Sequence, residues 1–118
     1  MTKVGFVGLG VMGNSMAKHL IARGHDLFVY NRTQAKADEV VGLGAYRCST
    51  PKEVAELADV VMTIVGYPQD VETVYFGEVG LFAGAHSKSL FIDLTTSTPS
   101  LAIRIAEAAS KQGIQSLD

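Results

Sequence analysis

The chain has 118 residues, 47% of them hydrophobic, and its 10 basic and 12 acidic side chains give a formal net charge of −2. This length suits one globular domain with a buried core. Because the charges are scattered, the composition gives no reason to expect nucleic acid or a charged membrane surface as a partner. No apolar run approaches the roughly 20 residues that cross a bilayer, and no secretory signal follows Met1, so we expect a cytoplasmic protein without membrane contact.

Short runs of β-branched and aromatic residues alternate with longer segments of helical period. Runs typical of strands occupy residues 4–7, 27–30, 60–65 and 90–93, with shorter candidates at 45–47 and 114–117. Continuous apolar strands separated by helices indicate a parallel sheet, because parallel neighbours need crossover connections. The sequence therefore predicts an α/β, doubly wound Rossmann fold: a mainly parallel sheet of about six strands with helices on both faces.

The first strand leads directly into the turn Gly8-Leu9-Gly10-Val11-Met12-Gly13, which opens a helix. The first glycine of this motif permits a tight turn, the second leaves room for a pyrophosphate, and the third lets helix and strand pack closely. The free N–H groups of the first helical turn also attract anions. All six residues are therefore predicted to bind a dinucleotide; a glycine-rich turn kept for packing alone is the alternative. The apolar stripe of this helix is predicted to be Met12, Met16, Ala17, Leu20 and Ile21.

The second strand ends at Tyr30-Asn31-Arg32-Thr33, where an NAD site has Asp or Glu to bind the ribose 2'-hydroxyl. An acid there would repel a 2'-phosphate, whereas Arg32 can pair with that phosphate and stack on adenine, and Asn31 and Thr33 can add hydrogen bonds. We therefore predict NADP as the cofactor rather than NAD. In the alternative, Arg32 is a solvated turn residue and Thr33 only caps a helix over residues 34–41.

Two later helices have clear start signals. Thr50-Pro51-Lys52-Glu53 predicts a helix start with a capping box, and Thr98-Pro99 repeats the threonine and proline. The helix after Thr98 is expected to stop at Gly113. Its buried stripe is predicted to be Leu101, Ala102, Ile105, Ala106 and Ala109.

The single cysteine, Cys48, is interpreted as a half-buried thiol without chemistry, since one cysteine cannot form an internal disulfide and no histidine lies near it in sequence. His19, His25 and His86 are interpreted as surface residues.

These landmarks resemble the β-hydroxyacid dehydrogenases, the family that includes 3-hydroxyisobutyrate dehydrogenase, tartronate semialdehyde reductase and 6-phosphogluconate dehydrogenase. The resemblance extends over the whole chain and implies hydride transfer between NADP(H) and a small 3-hydroxy acid or its semialdehyde. The segments that carry it are residues 5–13, Asn31-Arg32-Thr33, Asp93-Leu94-Thr95-Thr96-Ser97-Thr98-Pro99 and Leu117-Asp118.

The resemblance also implies contacts after the fourth and fifth strands. It implies that Thr95 and Thr96 lie beside the substrate and the nicotinamide ribose, Thr96 being the stronger candidate for contact with the cofactor. Thr95 stands where serine is commoner in the family, but a hydroxyl group remains. The resemblance further implies that the backbone at Val65, Gly66 and Tyr67 lies against the cofactor. Solvated hydroxyls are the alternative for the first segment and a plain turn is the alternative for the second.

Family members are longer, and the resemblance implies a substrate-binding segment and a helical domain with the catalytic lysine beyond Asp118. We therefore expect residues 1–118 to be the NADP-binding domain of a longer dehydrogenase or reductase, inactive alone, and we assign no catalytic or metal-binding residue within it. The full-length protein is expected to form homo-oligomers. A stand-alone NADP-binding or sensing module without enzymatic activity has the same glycine and arginine features and is the alternative.

Overall fold

The structure is a computed structural model that describes residues 2–65, 68–94 and 98–117. In these ranges, six strands form one sheet in which every pairing is parallel. The strands are β1 (Lys3–Val7), β2 (Asp26–Tyr30), β3 (Tyr46–Arg47), β4 (Val60–Thr63), β5 (Leu90–Asp93) and β6 (Gln115–Leu117). The helices are α1 (Val11–Ala22), α2 (Asp38–Gly42), α3 (Pro51–Leu57), α4 (Pro68–Phe76), α5 (Leu81–Gly84) and α6 (Pro99–Lys111).

The sheet has the strand order β3-β2-β1-β4-β5-β6, so the chain builds outward from β1 in one direction and then from β4 in the other. This reversal defines a doubly wound sheet, as predicted. Ligands of such sheets bind outside the carboxyl ends of the strands at the point of reversal, which here lies between β1 and β4. The fold therefore places a site beside the glycine-rich turn that follows β1.

The buried apolar side chains form two clusters, as expected for a sheet covered by helices on both faces. Strand β1 contributes to both, because Val4 and Phe6 belong to one cluster and Val7 to the other. Gly5 lies between Val4 and Phe6 in the strand, and a Cβ at Gly5 would overlap the side chain of Val54 in α3. The absence of a side chain at Gly5 thus lets α3 pack directly on the central strand.

The helix starts predicted from threonine are confirmed. Thr50 Oγ1 accepts a hydrogen bond from Glu53 N at 3.1 Å, and Thr98 Oγ1 accepts one from Leu101 N at 3.3 Å. The capping box differs in one contact, because the Glu53 carboxylate accepts from Ser49 N at 2.7 Å, one residue before the position expected. Gly113, with a φ of 71°, follows the end of α6 as predicted.

Several details of the prediction are wrong. Met12 is 67% exposed, because it lies in the first turn of α1, beyond the carboxyl edge of the sheet. Ala106 is exposed, since the buried stripe of α6 is narrower than expected and consists of Leu101, Ile105 and Ala109. The helix predicted over 34–41 is a 3₁₀ turn, Gln34–Ala37, followed by α2, and the strand predicted over 60–65 ends at Thr63.

His86 is half-buried, and its ring makes structural contacts that the sequence did not predict. Its Nε2 lies 3.0 Å from the Ala58 carbonyl oxygen and 3.6 Å from Asp59 Oδ1, and its Nδ1 accepts a hydrogen bond from Lys88 N. The ring therefore joins the loop before β5 to the end of α3. His19 is exposed as expected, and His25 is half-buried.

Cys48 is more buried than expected, at 1% exposure. Burial raises the pKa of its thiol to about 12, and the charge of Glu53 adds to the rise. A thiol that holds its proton this tightly is a poor nucleophile, which agrees with its interpretation as an inert residue.

Among the described residues, no helix is both long enough and apolar enough to span a membrane.

Candidate dinucleotide-binding site

A cleft of about 610 Å³ opens at the carboxyl ends of β1, β2 and β4. Its floor is the turn Gly8-Leu9-Gly10, and one rim is formed by residues 30–33 at the end of β2. The opposite wall comes from residues 64–65 after β4, from α4, and from the loop that follows α4 as far as Val79. A volume of this size lies within the usual range of small-molecule and cofactor sites.

The structure confirms the roles predicted for Gly8 in the tight turn and for Gly13 in close packing of helix and strand. Gly8 has a φ of 98°, and a Cβ there would overlap the Ile64 carbonyl oxygen, so only glycine fits. A Cβ at Gly13 would overlap the Gly8 carbonyl oxygen, which shows how closely α1 approaches the turn. At Gly10 no heavy atom lies within 4 Å of the Cβ position. The space beside Gly10 is therefore open to a ligand.

The start of α1 presents backbone N–H groups at the cleft. Asn14 N donates to Gly10 O at 2.8 Å and is the first amide of the helix with a helical partner, so the amides of Val11, Met12 and Gly13 precede it. Gly10 provides no side-chain cap, and the first turn contains no acidic residue. These groups and the positive end of the helix dipole suit a pyrophosphate, although the side chains of Val11 and Met12 point away from the cleft lining into solvent.

Asn31 supports the turn from the end of β2. Its Oδ1 accepts a hydrogen bond from Leu9 N at 2.8 Å, and its Nδ2 donates to Thr33 O at 2.9 Å. Gly8 N donates to Tyr30 O at 3.0 Å, so the amides of the first two turn residues are both bonded within the protein. Thr33 lines the cleft, but its side chain forms no capping hydrogen bond, so the capping role considered for it is wrong.

Arg32 stands at the rim of the cleft with its side chain 85% exposed. Its Nη1 lies 3.5 Å from Oδ1 of Asp70, a residue of α4 that also lines the cleft. Lys36, on the 3₁₀ turn after Thr33, is a second cation in the lining. Asp70 could not be predicted from the sequence, because it lies 38 residues from Arg32 and in no motif. Lys36 could have been proposed from its closeness to the Asn31-Arg32-Thr33 triplet.

The cleft is lined largely by apolar groups. Its lining includes Tyr30, Pro51, Val65, Val74 and Val79. An apolar slot next to a basic rim suits a flat heterocycle attached to a phosphorylated sugar. Of these residues, only Val65 was predicted as a contact from the sequence.

A buried polar network joins the carboxyl ends of β4 and β5. Thr63 Oγ1 donates to Asp93 Oδ1 at 2.8 Å and lies 3.1 Å from the Tyr75 hydroxyl. All three residues are at most 4% exposed. Burial raises the pKa of Tyr75 well above its ordinary value, with the charge of Asp93 adding to this effect and the hydrogen bond with Thr63 opposing it. The network thus ties Thr63, at the end of β4, to Asp93, at the end of β5.

Four predicted site residues, Gly66, Tyr67, Thr95 and Thr96, lie outside the described residues. The structure brings together Gly8, Leu9, Gly10, Asn31, Arg32, Thr33 and Val65 around one cleft, with Val11, Met12 and Gly13 at the adjoining helix start. In the described part of the chain, no group of three or more His, Cys, Asp or Glu side chains is arranged to hold a metal ion.

A doubly wound parallel sheet with an open glycine turn and an uncapped helix start at its point of reversal is typical of a dinucleotide-binding domain. Comparison with protein families agrees. Residues 3–118 match the family described as the NAD binding domain of 6-phosphogluconate dehydrogenase. The chain belongs to this family, within the β-hydroxyacid dehydrogenases, as its sequence landmarks suggested.

Similar proteins are much longer than this chain. An uncharacterized oxidoreductase of Bacillus subtilis is 50% identical over 98% of the chain, which covers 40% of that protein. A probable mitochondrial 3-hydroxyisobutyrate dehydrogenase-like protein of Arabidopsis thaliana is 47% identical over 99% of the chain, which covers 35% of that protein. Among solved structures, Psf3 in complex with NADP⁺ and 2-OPP superposes with a TM-score of 0.89 and 29% identity, over 96% of this chain and 40% of Psf3.

Proposed function

We propose that the cleft binds NADP(H), and that the chain is the cofactor domain of an NADP-dependent β-hydroxyacid dehydrogenase or semialdehyde reductase. The observation that carries the preference for NADP is Arg32 at the cleft rim, where β2 ends without the acid that would bind a ribose 2'-hydroxyl. Lys36 adds a second positive charge to the same rim. The NADP⁺ bound to Psf3 supports the same cofactor.

Three parts of the cofactor are proposed to contact different parts of the site. The pyrophosphate lies against Gly10 and the amides of residues 11–13, because that is where backbone donors meet open space. The 2'-phosphate pairs with Arg32, and the adenine occupies the apolar slot beside Val74. The nicotinamide then extends towards the ends of β4 and β5, where Thr95, Thr96 and the backbone at 65–67 are the predicted contacts.

When bound, NADPH supplies the hydride; the residues of this chain hold the cofactor and orient it. The substrate proposed is a small 3-hydroxy acid or its semialdehyde, a class supported by the name of the Arabidopsis relative. Reduction of a carbonyl also needs a proton donor, and we assign none among residues 1–118. Because the chain spans only 35–40% of the relatives' length, we propose that the donor belongs to a part of the enzyme absent here, and that this chain binds cofactor without turnover.

The cofactor preference can be measured by titrating the chain with NADPH and with NADH at equal ionic strength and following nicotinamide fluorescence. We expect NADPH to bind at least about tenfold more tightly, the size of a charge-assisted hydrogen bond. Arg32→Ala should reduce NADPH affinity by about tenfold or more and leave NADH affinity nearly unchanged. Equal affinities for the two cofactors, or undiminished NADPH binding by the variant, would contradict the proposal.

Arg104→Ala is the matched control. Arg104 is also exposed and also forms an ion pair with a carboxylate of α4, Glu72, at 3.2 Å, but it does not line the cleft. This variant removes one positive charge and one surface ion pair, as Arg32→Ala does, together with the stacking of the Arg104 guanidinium on the Phe76 ring. Its NADPH affinity should remain within about twofold of the unmodified chain, which would separate a local phosphate contact from a change of net charge.

A further inference from the structure

Two of the residues that line the cleft, Asp70 and Glu78, are acidic, and an acidic group opposes the binding of a phosphate. Asp70 lines the cleft and pairs with Arg32, the residue that is expected to bind the phosphate. The carboxylate reaches this position from α4, on the wall facing the end of β2. The cleft thus contains both a cation suited to a phosphate and an anion that opposes one.

The two partners differ in how firmly they are held. The Asp70 side chain is 24% exposed and belongs to the first turn of α4, where the helix dipole favours a negative charge. The Arg32 side chain is 85% exposed and follows the end of a strand. The carboxylate is therefore the more fixed member of the pair, and the guanidinium is the member that can move to a ligand.

The contact itself is weak. It joins one nitrogen, Nη1, to one oxygen, Oδ1, at 3.5 Å, rather than two parallel hydrogen bonds. An exposed pair of this kind contributes little and exchanges readily. A phosphate can therefore take Arg32 from Asp70, but it then binds close to a negative charge.

We propose that Asp70 is a specificity-determining residue that lowers the preference of this site for NADP over NAD. It competes with the 2'-phosphate for Arg32 and repels the phosphate directly. A ribose 2'-hydroxyl has no charge and suffers neither effect, so NADH affinity is hardly altered. This inference rests on the proposed binding of NADP at Arg32 and adds the residue that limits its strength.

The test uses two fragments that differ only at the 2'-position: adenosine 2',5'-bisphosphate and adenosine 5'-monophosphate. Their affinities are measured by calorimetry for the unmodified chain, Asp70→Asn and Asp70→Ser, the second variant guarding against poor folding of the first. Each variant should bind the bisphosphate about three- to tenfold more tightly and the monophosphate within about twofold of the unmodified chain. Equal gains for both ligands, or no gain for the bisphosphate, would overturn the inference.

Glu72→Gln is the matched control, since Glu72 lies on the same helix, pairs with Arg104 and does not line the cleft. It removes the same charge and should change neither affinity. In the double variant Arg32→Ala/Asp70→Asn, the gain from the asparagine should be smaller than in the chain that retains Arg32, because competition for the guanidinium is gone. An undiminished gain would overturn the competition and leave only direct repulsion.

The failure of this inference and that of the proposed function give different results. If the unmodified chain binds neither the bisphosphate nor NADPH, or if Arg32→Ala binds both undiminished, the proposed NADP site is wrong and the inference falls with it. If Arg32→Ala weakens both ligands while Asp70→Asn matches the unmodified chain, only the role of Asp70 is refuted.

Discussion

The side-chain oxygen of Asn31 accepts a hydrogen bond from the backbone N–H of Leu9 at 2.8 Å, across 22 residues of sequence. This bond ties the end of β2 to the middle of the glycine-rich turn. The same amide group also donates to Thr33 O, so Asn31 organises the loop on both sides of Arg32. Asn31, which is predicted to add a hydrogen bond to the cofactor phosphate, thus also holds together the two loops that form the site.

Replacing Asn31 should therefore weaken both stability and cofactor binding. Asn31→Ala leaves the Leu9 amide and the Thr33 carbonyl without these partners, and we expect the free energy of unfolding to fall by about 1–3 kcal/mol, measured by urea denaturation. NADPH affinity should fall by about tenfold, since the turn is no longer held in place. Thr33→Ala is the control, because that side chain caps no helix, and its stability should change by less than about 0.5 kcal/mol. Equal stability of Asn31→Ala and the unmodified chain would contradict this role.

The three glycines of the turn should separate binding from stability. Gly10 has a φ of −68°, which any residue adopts, and open space at its Cβ position, so Gly10→Ala should fold with near-normal stability while its methyl group obstructs the pyrophosphate. We expect NADPH affinity to fall by about tenfold or more. Gly13→Ala would instead place a Cβ against the Gly8 carbonyl and should lower the melting temperature as well. Tight NADPH binding by Gly10→Ala would show that the pyrophosphate lies elsewhere.

The order of elements could be predicted from the sequence because each signal for it is local. β1 and β5 are continuous apolar runs. Thr50 caps α3 and Thr98 caps α6, each through a hydrogen bond to the backbone N–H three residues later. The wrong details arose where burial depends on distant parts of the chain. Met12 has the spacing of a buried residue, but it is 67% exposed in the first turn of α1.

In the site, too, the features with a local sequence signal could be predicted and those that depend on distant parts of the chain could not. The glycines and Arg32 belong to a short motif with a known physical role, so they could be found without a structure. Asp70 could not, because its pairing with Arg32 depends on the position of α4 relative to β2, and no local pattern of residues sets that position. The contact of Thr63 with Asp93 spans 30 residues and was equally inaccessible.

The buried network behind the site should be sensitive to loss of its central hydroxyl. Thr63→Val removes the donor to Asp93 and the partner of the Tyr75 hydroxyl, whereas Tyr75→Phe removes only the second of these contacts. We expect Thr63→Val to cost about 2–4 kcal/mol of unfolding free energy and Tyr75→Phe about 1 kcal/mol. Thr63→Ser removes the methyl group but keeps the hydroxyl with both of its contacts, so it serves as the control and should cost less than Thr63→Val. If Tyr75→Phe proved the more damaging variant, the tyrosine rather than the threonine would be the centre of the network.

The buried thiol of Cys48 should make stability fall at alkaline pH. Its pKa is raised from the ordinary value of 9.0 to about 12, chiefly by burial, so the folded chain holds this proton more tightly than the unfolded chain does. As pH rises above 9 the unfolded state loses the proton first and is favoured, and the stabilisation present below pH 9 disappears by about pH 12. Urea denaturation at pH 8, 9, 10 and 11 should thus show a smaller decline in unfolding free energy for Cys48→Ala than for the unmodified chain. Tyr75, whose pKa is also raised, titrates in both proteins and cancels in the difference. Parallel pH profiles of the two proteins would show that the thiol does not contribute.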